Sequence, residues 1–164
     1  MKTLLLVRHA KSSWDNLTLS DFERPLNNRG NLDAPLMAKR IKDKKVEIEC
    51  FVSSPAKRAK KTAKIFMEVY DKHKKNLVLL PSLYEASVMN FHTAVESMED
   101  KYDNIAVFSH NPSITDFANS LTDYKVDNMP TCSVFGVKVQ IEKWIDFKYA
   151  KKELLFFEFP KNSL

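Results

Sequence analysis

The segment Thr3-Leu4-Leu5-Leu6-Val7 constrains the fold more than any other. It is a continuous apolar run without the alternation of a half-exposed strand. Such a run fits a strand covered on both faces, near the centre of a parallel sheet. It stops abruptly at Arg8-His9. One basic residue and a few apolar ones make too short a stretch for a secretory leader, so a cytoplasmic location is expected.

The rest of the chain repeats a strand–helix rhythm. Ser12–Asn28 is polar and irregular and reads as a long loop, a feature often tied to function. A helix follows, from Asn28 or from Asp33, to about Lys44. The later start would put Pro35 in the first turn, where proline is tolerated. Ile48–Ser53 reads as a second strand. Ser54-Pro55 then opens a helix, with Ser54 as cap, and Ala59, Thr62, Ala63, Phe66 and Tyr70 form its buried stripe. Leu77–Leu80 is a third strand, and a helix lies within Ser87–Asp100. Ile105–Ser109 is a fourth strand, and Asn111-Pro112 caps a helix running to about Leu121. Ser133–Gln140 and Trp144–Phe159 read as a closing hairpin. Without linkers or repeats, residues 1–164 read as one α/β domain built on a mostly parallel sheet.

Composition narrows the class. Apolar residues make up 44% and charged residues 29% of 164, as in globular domains. No apolar run approaches the roughly 20 residues of a membrane span, so no membrane partner is expected. Cys50 and Cys132 are the only cysteines. They form no C-x-x-C, so a disulfide framework or cysteine zinc site is not expected. The net charge is +5, with lysines gathered in Lys39–Lys45, Lys57–Lys64, Lys72–Lys75 and Lys148–Lys152. These read as solvated faces, or as a diffuse field that attracts anions. No interleaving of basic and aromatic residues points to nucleic acid.

In parallel α/β sheets, ligands sit beyond the carboxyl ends of the strands. That edge collects Arg8-His9 after the first strand, Arg58 in the first turn after the second, and Ser109-His110-Asn111-Pro112 after the fourth. Guanidinium groups suit phosphoryl oxygens, and helix starts add N–H donors. A neutral imidazole can attack phosphorus and divide hydrolysis into two steps. Nearby arginines favour that neutral form. Such a site needs no metal or other cofactor in principle, and no H-x-x-x-H or H-x-D pairing suggests one.

The sequence also resembles a known family. Leu4-Leu5-Leu6-Val7-Arg8-His9-Ala10, Val52-Ser53-Ser54-Pro55-Ala56-Lys57-Arg58 with Thr62-Ala63, and Val107-Phe108-Ser109-His110-Asn111-Pro112 resemble the three ordered motifs of the histidine phosphatase (phosphoglycerate mutase-like) superfamily. The stretch Asp21-Phe22-Glu23-Arg24-Pro25-Leu26-Asn27-Asn28-Arg29-Gly30 and the short length resemble its SixA branch, the small phosphohistidine phosphatases. The resemblance implies a three-layer α/β/α sandwich around a six-stranded mixed sheet with one antiparallel strand near an edge. It implies that His9 is phosphorylated, that Arg8 and Arg58 clamp the phosphoryl group, and that His110 completes the pocket. Ala10 replaces the superfamily's usual glycine. The large helical insertion of many relatives is absent, which implies an open site suited to a phosphate carried on a protein.

The expected activity is metal-independent hydrolysis of a phosphorylated protein through phosphohistidine on His9, by a monomeric enzyme. Two alternatives remain. One is a phosphatase of small phosphomonoesters or nucleotides, and the other a phosphate-binding domain without turnover. They differ in the need for a proton donor. Glu85 lies after the third strand, where relatives carry an acid, and is the candidate; Asp21 and Glu23 are weaker ones. An imidazole leaving group needs less acid help. His92 could line the pocket or be a plain helix residue, and His73 reads as exposed. Ser12 and Ser13 could contact phosphate or shape a turn. Trp14, Phe22 and Tyr84 could wall the pocket or pack the loop.

Overall fold

Successive residues of the first strand face two different cores. Leu4 and Leu6 pack with residues of one cluster, Leu5 and Val7 with those of another, and all four are essentially unexposed. Burying such a side chain contributes about 1.5–3 kcal/mol. This is why the run carries no alternation: both faces of the strand are interior.

The computed structural model describes residues 1–162. Six strands form one sheet: β1 (Lys2–Arg8), β2 (Cys50–Ser53), β3 (Leu77–Leu79), β4 (Asn104–Ser109), β5 (Val134–Val139) and β6 (Lys152–Glu158). Their order is β3-β2-β4-β1-β5-β6. The pairs β2–β3, β2–β4 and β1–β4 are parallel, whereas β5 is antiparallel to both of its neighbours. The single reversed strand is therefore next to the edge, as the resemblance implied.

Helices α1 (Asn28–Asp43) and α2 (Lys57–Val69) supply Met37, Ile41 and Phe66 to the Leu5 core. Helices α3 (Val88–Glu96) and α4 (Ser113–Leu121) supply Phe91, Val95 and Phe117 to the Leu4 core. The architecture is thus a three-layer sandwich. Among the described residues no helix is long and apolar enough to cross a membrane.

One local expectation needs correction, and the bounds of two helices become definite. Helix α1 takes the earlier start: Asn27 caps it by accepting from the Gly30 amide at 2.8 Å. Pro35 therefore lies inside the helix, where it removes one backbone bond. The Trp144–Phe159 segment is not one strand. A 3-10 turn at Trp144–Asp146 buries the indole, and only Lys152–Glu158 pairs with β5. The Ser87–Asp100 segment is helical only over Val88–Glu96, with Ser87 as its cap.

The long loop is closed at its neck. Ser13 donates to the Pro25 carbonyl at 2.8 Å, Asn27 donates to that of Lys11 at 3.0 Å, and Ser12 bridges Leu26. Inside it, a 3-10 turn at Asp21–Glu23 faces the carboxyl edge of the sheet.

Candidate active site

Parallel pairing of β1 with β4 puts Arg8 opposite Ser109, so the next residue of each strand leaves the sheet side by side. Those residues are His9 and His110. The His9 amide donates to the Ser109 carbonyl at 3.1 Å, and the two ring centroids are 5.1 Å apart. Both imidazoles are buried.

Helix α2 adds the third group. Arg58 is buried in its first turn, and its Nε donates to His9 Nε2 at 3.3 Å. One turn on, Thr62 Oγ1 accepts from the Ala10 amide at 3.0 Å and donates to the Arg58 carbonyl at 2.8 Å. The threonine of the second motif thus ties the helix to the strand end that carries His9.

One expected helix cap has another role, and of the expected cap pair Asn111-Pro112 only the proline takes that position. Ala56, not Ser54, occupies the cap position of α2. The Ser54 hydroxyl accepts from the Ala56 amide at 3.2 Å and lies 2.8 Å from His110 Nε2, so it fixes that ring. Pro112 occupies the cap position of α4. The Asn111 amide nitrogen donates to Asn128 Oδ1 and to the Met129 carbonyl, at 2.6 and 3.1 Å. Arg8 Nη1 donates to that same carbonyl at 2.8 Å. One backbone oxygen thereby aligns the last residue of β1 and a residue just past β4. The next loop is also pinned: the Cys132 amide donates to the carbonyls of Arg8 and His9, both at 3.0 Å.

Asp21 is the main departure from expectation. Sequence ranked it as a weak proton donor. Its carboxylate instead accepts from Arg58 Nη2 at 3.0 Å, Tyr84 Oη at 2.6 Å and Arg24 Nη2 at 3.2 Å. Its carbonyl also accepts from Arg58 Nη1 at 2.6 Å. The Tyr84 and Arg58 bonds hold its carboxyl well below the usual carboxylate range. A group so strongly ionised is a poor acid. It is an anchor, turning the Nε edge of Arg58 toward His9.

The tautomer of His9 follows from its contacts. Nδ1 lies 2.7 Å from the Ala10 carbonyl, which can only accept, so Nδ1 carries the proton. Nε2 then holds the lone pair in the neutral ring. Burial first, then the charges of His110, Arg58 and Arg8, push the His9 pKa down to about 3, against the opposing bond to Ala10. Burial and Arg58 push His110 down to about 4. Both rings are neutral over the working range of most enzymes. Burial, together with Arg58, also lowers the pKa of Arg8, which remains charged.

Around these rings lies a concave space of about 320 Å³ lined by Arg8, Arg24, Arg58, Lys11 and both histidines. Arg8 Nε, Arg24 Nε and His110 Nδ1 are buried without hydrogen-bond partners. The two arginine nitrogens are cationic donors left unpaired beside this space, which is costly and suits an acceptor-rich anion. A second concavity of about 520 Å³ continues from His110 and Arg58 past Tyr84 to Glu85. Glu85 is exposed there, with a positive φ of 53°. Among the described residues no cluster of three or more His, Cys, Asp or Glu side chains could hold a metal ion.

The remaining sequence candidates sort by distance. Ser12 lines the first concavity and accepts from Arg24 Nη1 at 2.6 Å. Ser13 Oγ accepts from the Asp15 amide, a turn role. Trp14 covers the Arg24 guanidinium at 3.7 Å, and Phe22 packs edge-on against Tyr84. His92 is away from the site, its ring against Phe117 and Phe147. His73 precedes a 3-10 turn ahead of β3. Sequence reasoning missed Ser54 and Arg24 as parts of the site. Arg24 stood inside the quoted Asp21–Gly30 stretch, which was the available signal.

Comparison with known proteins gives a consistent picture. The family model of the histidine phosphatase superfamily (branch 1) matches residues 4–104. An uncharacterized chloroplastic protein of Arabidopsis thaliana is 30% identical over 151 residues, covering 87% of this chain and 69% of that one. A 2,3-bisphosphoglycerate-dependent phosphoglycerate mutase of Bartonella henselae is 29% identical over 86 residues, covering 51% and 42%. The solved structure of the protein histidine phosphatase SixA complexed with tungstate superposes with a TM-score of 0.82 at 23% identity, covering 98% of each chain.

Proposed function

Because the chain belongs to the histidine phosphatase superfamily, we propose that it is a metal-independent phosphatase working through phosphohistidine on His9, with a phosphohistidine protein as substrate. The observation that carries this reading is the state of His9: a neutral ring whose proton is committed to Ala10 and whose lone pair faces Arg58. Nε2 attacks phosphorus, and the bond from phosphorus to the substrate's leaving atom breaks. Arg8, Arg58 and His110 bind the transferring oxygens, so charge is met by groups already in place. The leaving group takes a proton from solvent water, and the hydrolysis step that follows returns one. Water then cleaves the nitrogen–phosphorus bond, releasing phosphate and restoring His9.

The choice of substrate rests on the acids. Asp21 is committed to Arg58 as a carboxylate, and Glu85 is exposed on the rim. Neither is built as a buried proton donor, and an imidazole leaving group demands less of one. One observation favours a second reading. Glu85 shares its concavity with His110 and Arg58, so it can approach the leaving group of a small phosphomonoester.

Incubation with a labelled phosphodonor and rapid quenching tests the mechanism. Acid-labile, base-stable label on His9 is the expected result. A His9→Ala variant that hydrolyses donors at the wild-type rate refutes it. A panel comparing phosphohistidine peptides with phosphosugars tests the substrate, and a strong preference for phosphosugars selects the second reading.

A further inference from the structure

Helix α2 carries the clamp residue Arg58 on its buried side and a row of lysines on its other face. Lys57, Lys60, Lys61 and Lys64 recur at intervals of three and four, so they line one helical face. Lys57, Lys61 and Lys64 are exposed and Lys60 partly so. None of the four joins an ion pair among the described residues. They border a groove of about 550 Å³ that the closed loop also lines, with Phe22, Pro25 and Leu26 of the loop and Pro55 ahead of α2 as its apolar surface. Glu23 is the one acid lining it.

The groove begins at the catalytic rim. Lys57 adjoins Arg58 in sequence, and Phe22 adjoins Asp21, the anchor of Arg58. From there the lysines run about 10 Å along the helix, at 1.5 Å per residue. A phosphoryl group bound at His9 cannot also reach Lys64, whereas a polypeptide carrying that group can. Four unpaired cations against one carboxylate select a negatively charged occupant, and the apolar wall selects one that also offers apolar side chains.

We propose that this groove docks an acidic, partly apolar segment of the phosphorylated protein substrate, next to the residue being dephosphorylated. The word substrate rests on the phosphatase reading; the binding itself does not.

The test uses the full chain and a charge-reversed K60E/K61E/K64E variant, which spares every residue of the pocket. The first probe is a fluorescent unphosphorylated peptide bearing four glutamates and two leucines, with a serine-for-glutamate control. Anisotropy should show wild type binding the glutamate peptide about tenfold more tightly than the variant does, with the difference shrinking at raised ionic strength. The second probe is phosphohistidine placed in both peptides. Wild-type kcat/KM should favour the glutamate peptide about tenfold. The variant should lose that preference while hydrolysing phosphoramidate at the wild-type rate. Equal affinity of wild type and variant for the glutamate peptide overturns the proposal. So does tighter lysine-dependent binding of single-stranded RNA than of the peptide. Lysine-dependent peptide binding without hydrolysis of any donor leaves the groove standing and removes the phosphatase reading.

Discussion

Lowering the pH should destabilise this fold well before its carboxylates titrate, because two buried histidines must stay neutral. His9 and His110 are 6% and 7% exposed, and their pKa values are depressed from 6.5 to about 3 and about 4. The unfolded chain takes up these protons near pH 6.5, and the folded chain does not until the lower values. Stability therefore falls as pH drops through that window, by up to about 1.4 kcal/mol per pH unit for each ring. Between pH 6.5 and pH 5 this integrates to about 1.7 kcal/mol per histidine, or about 3 kcal/mol for the pair. That is a large part of a typical domain stability of about 5–15 kcal/mol. The assay is urea unfolding at half-unit pH intervals, on wild type and on a His110→Gln variant. The variant shifts the baseline stability, but only the pH slope is read. Its slope over this window should be shallower by one histidine's share, and other titrating groups cancel in the difference. A wild-type stability that is flat from pH 6.5 to pH 5, or identical slopes in both proteins, refutes the neutral-pair reasoning.

Other expectations follow from single contacts. Arg58→Lys keeps a charge but loses the fork that faces His9 and Asp21 together, so kcat/KM for phosphoramidate should fall about 10²-fold or more; retained activity would show that the fork is dispensable. Glu85→Gln should leave phosphohistidine hydrolysis near wild type and lower any phosphomonoester hydrolysis by about 10²-fold or more, as a two-substrate comparison reads directly. Gly30→Ala places a Cβ 2.2 Å from the Lys11 carbonyl oxygen, a backbone atom two residues past His9. The loop neck must shift, with a loss of about 1–3 kcal/mol in thermal or urea unfolding and a fall in activity.

Much of this arrangement was legible in the sequence because it depends on period and order. An apolar run ending at Arg8-His9, another ending at Ser109-His110, and the strand–helix alternation between them placed both histidines on one sheet edge. What escaped depends on contacts between distant segments, which leave no local pattern. Ser54 before a proline reads as a helix cap, yet its hydroxyl orients His110, 56 positions away. Asn111 reads the same way, yet it holds the Met129 carbonyl. That carbonyl steadies Arg8 and is a backbone atom, so no residue type advertises it. Asp21 was visible as an acid, but only the folded loop shows that Arg24, Tyr84 and Arg58 converge on it. Its role reverses from giving a proton to holding a charge.

The 2.7 Å contact between His9 Nδ1 and the Ala10 carbonyl has a consequence for the chemistry of any intermediate. With that nitrogen committed, a phosphoryl group can join the ring at only one place. The adduct would be the tele isomer alone, never the pros isomer, and nitrogen NMR distinguishes the two. Each of the two displacements would invert phosphorus, since the attacking and leaving atoms lie in line. A chiral thiophosphate donor would then release product with its handedness preserved.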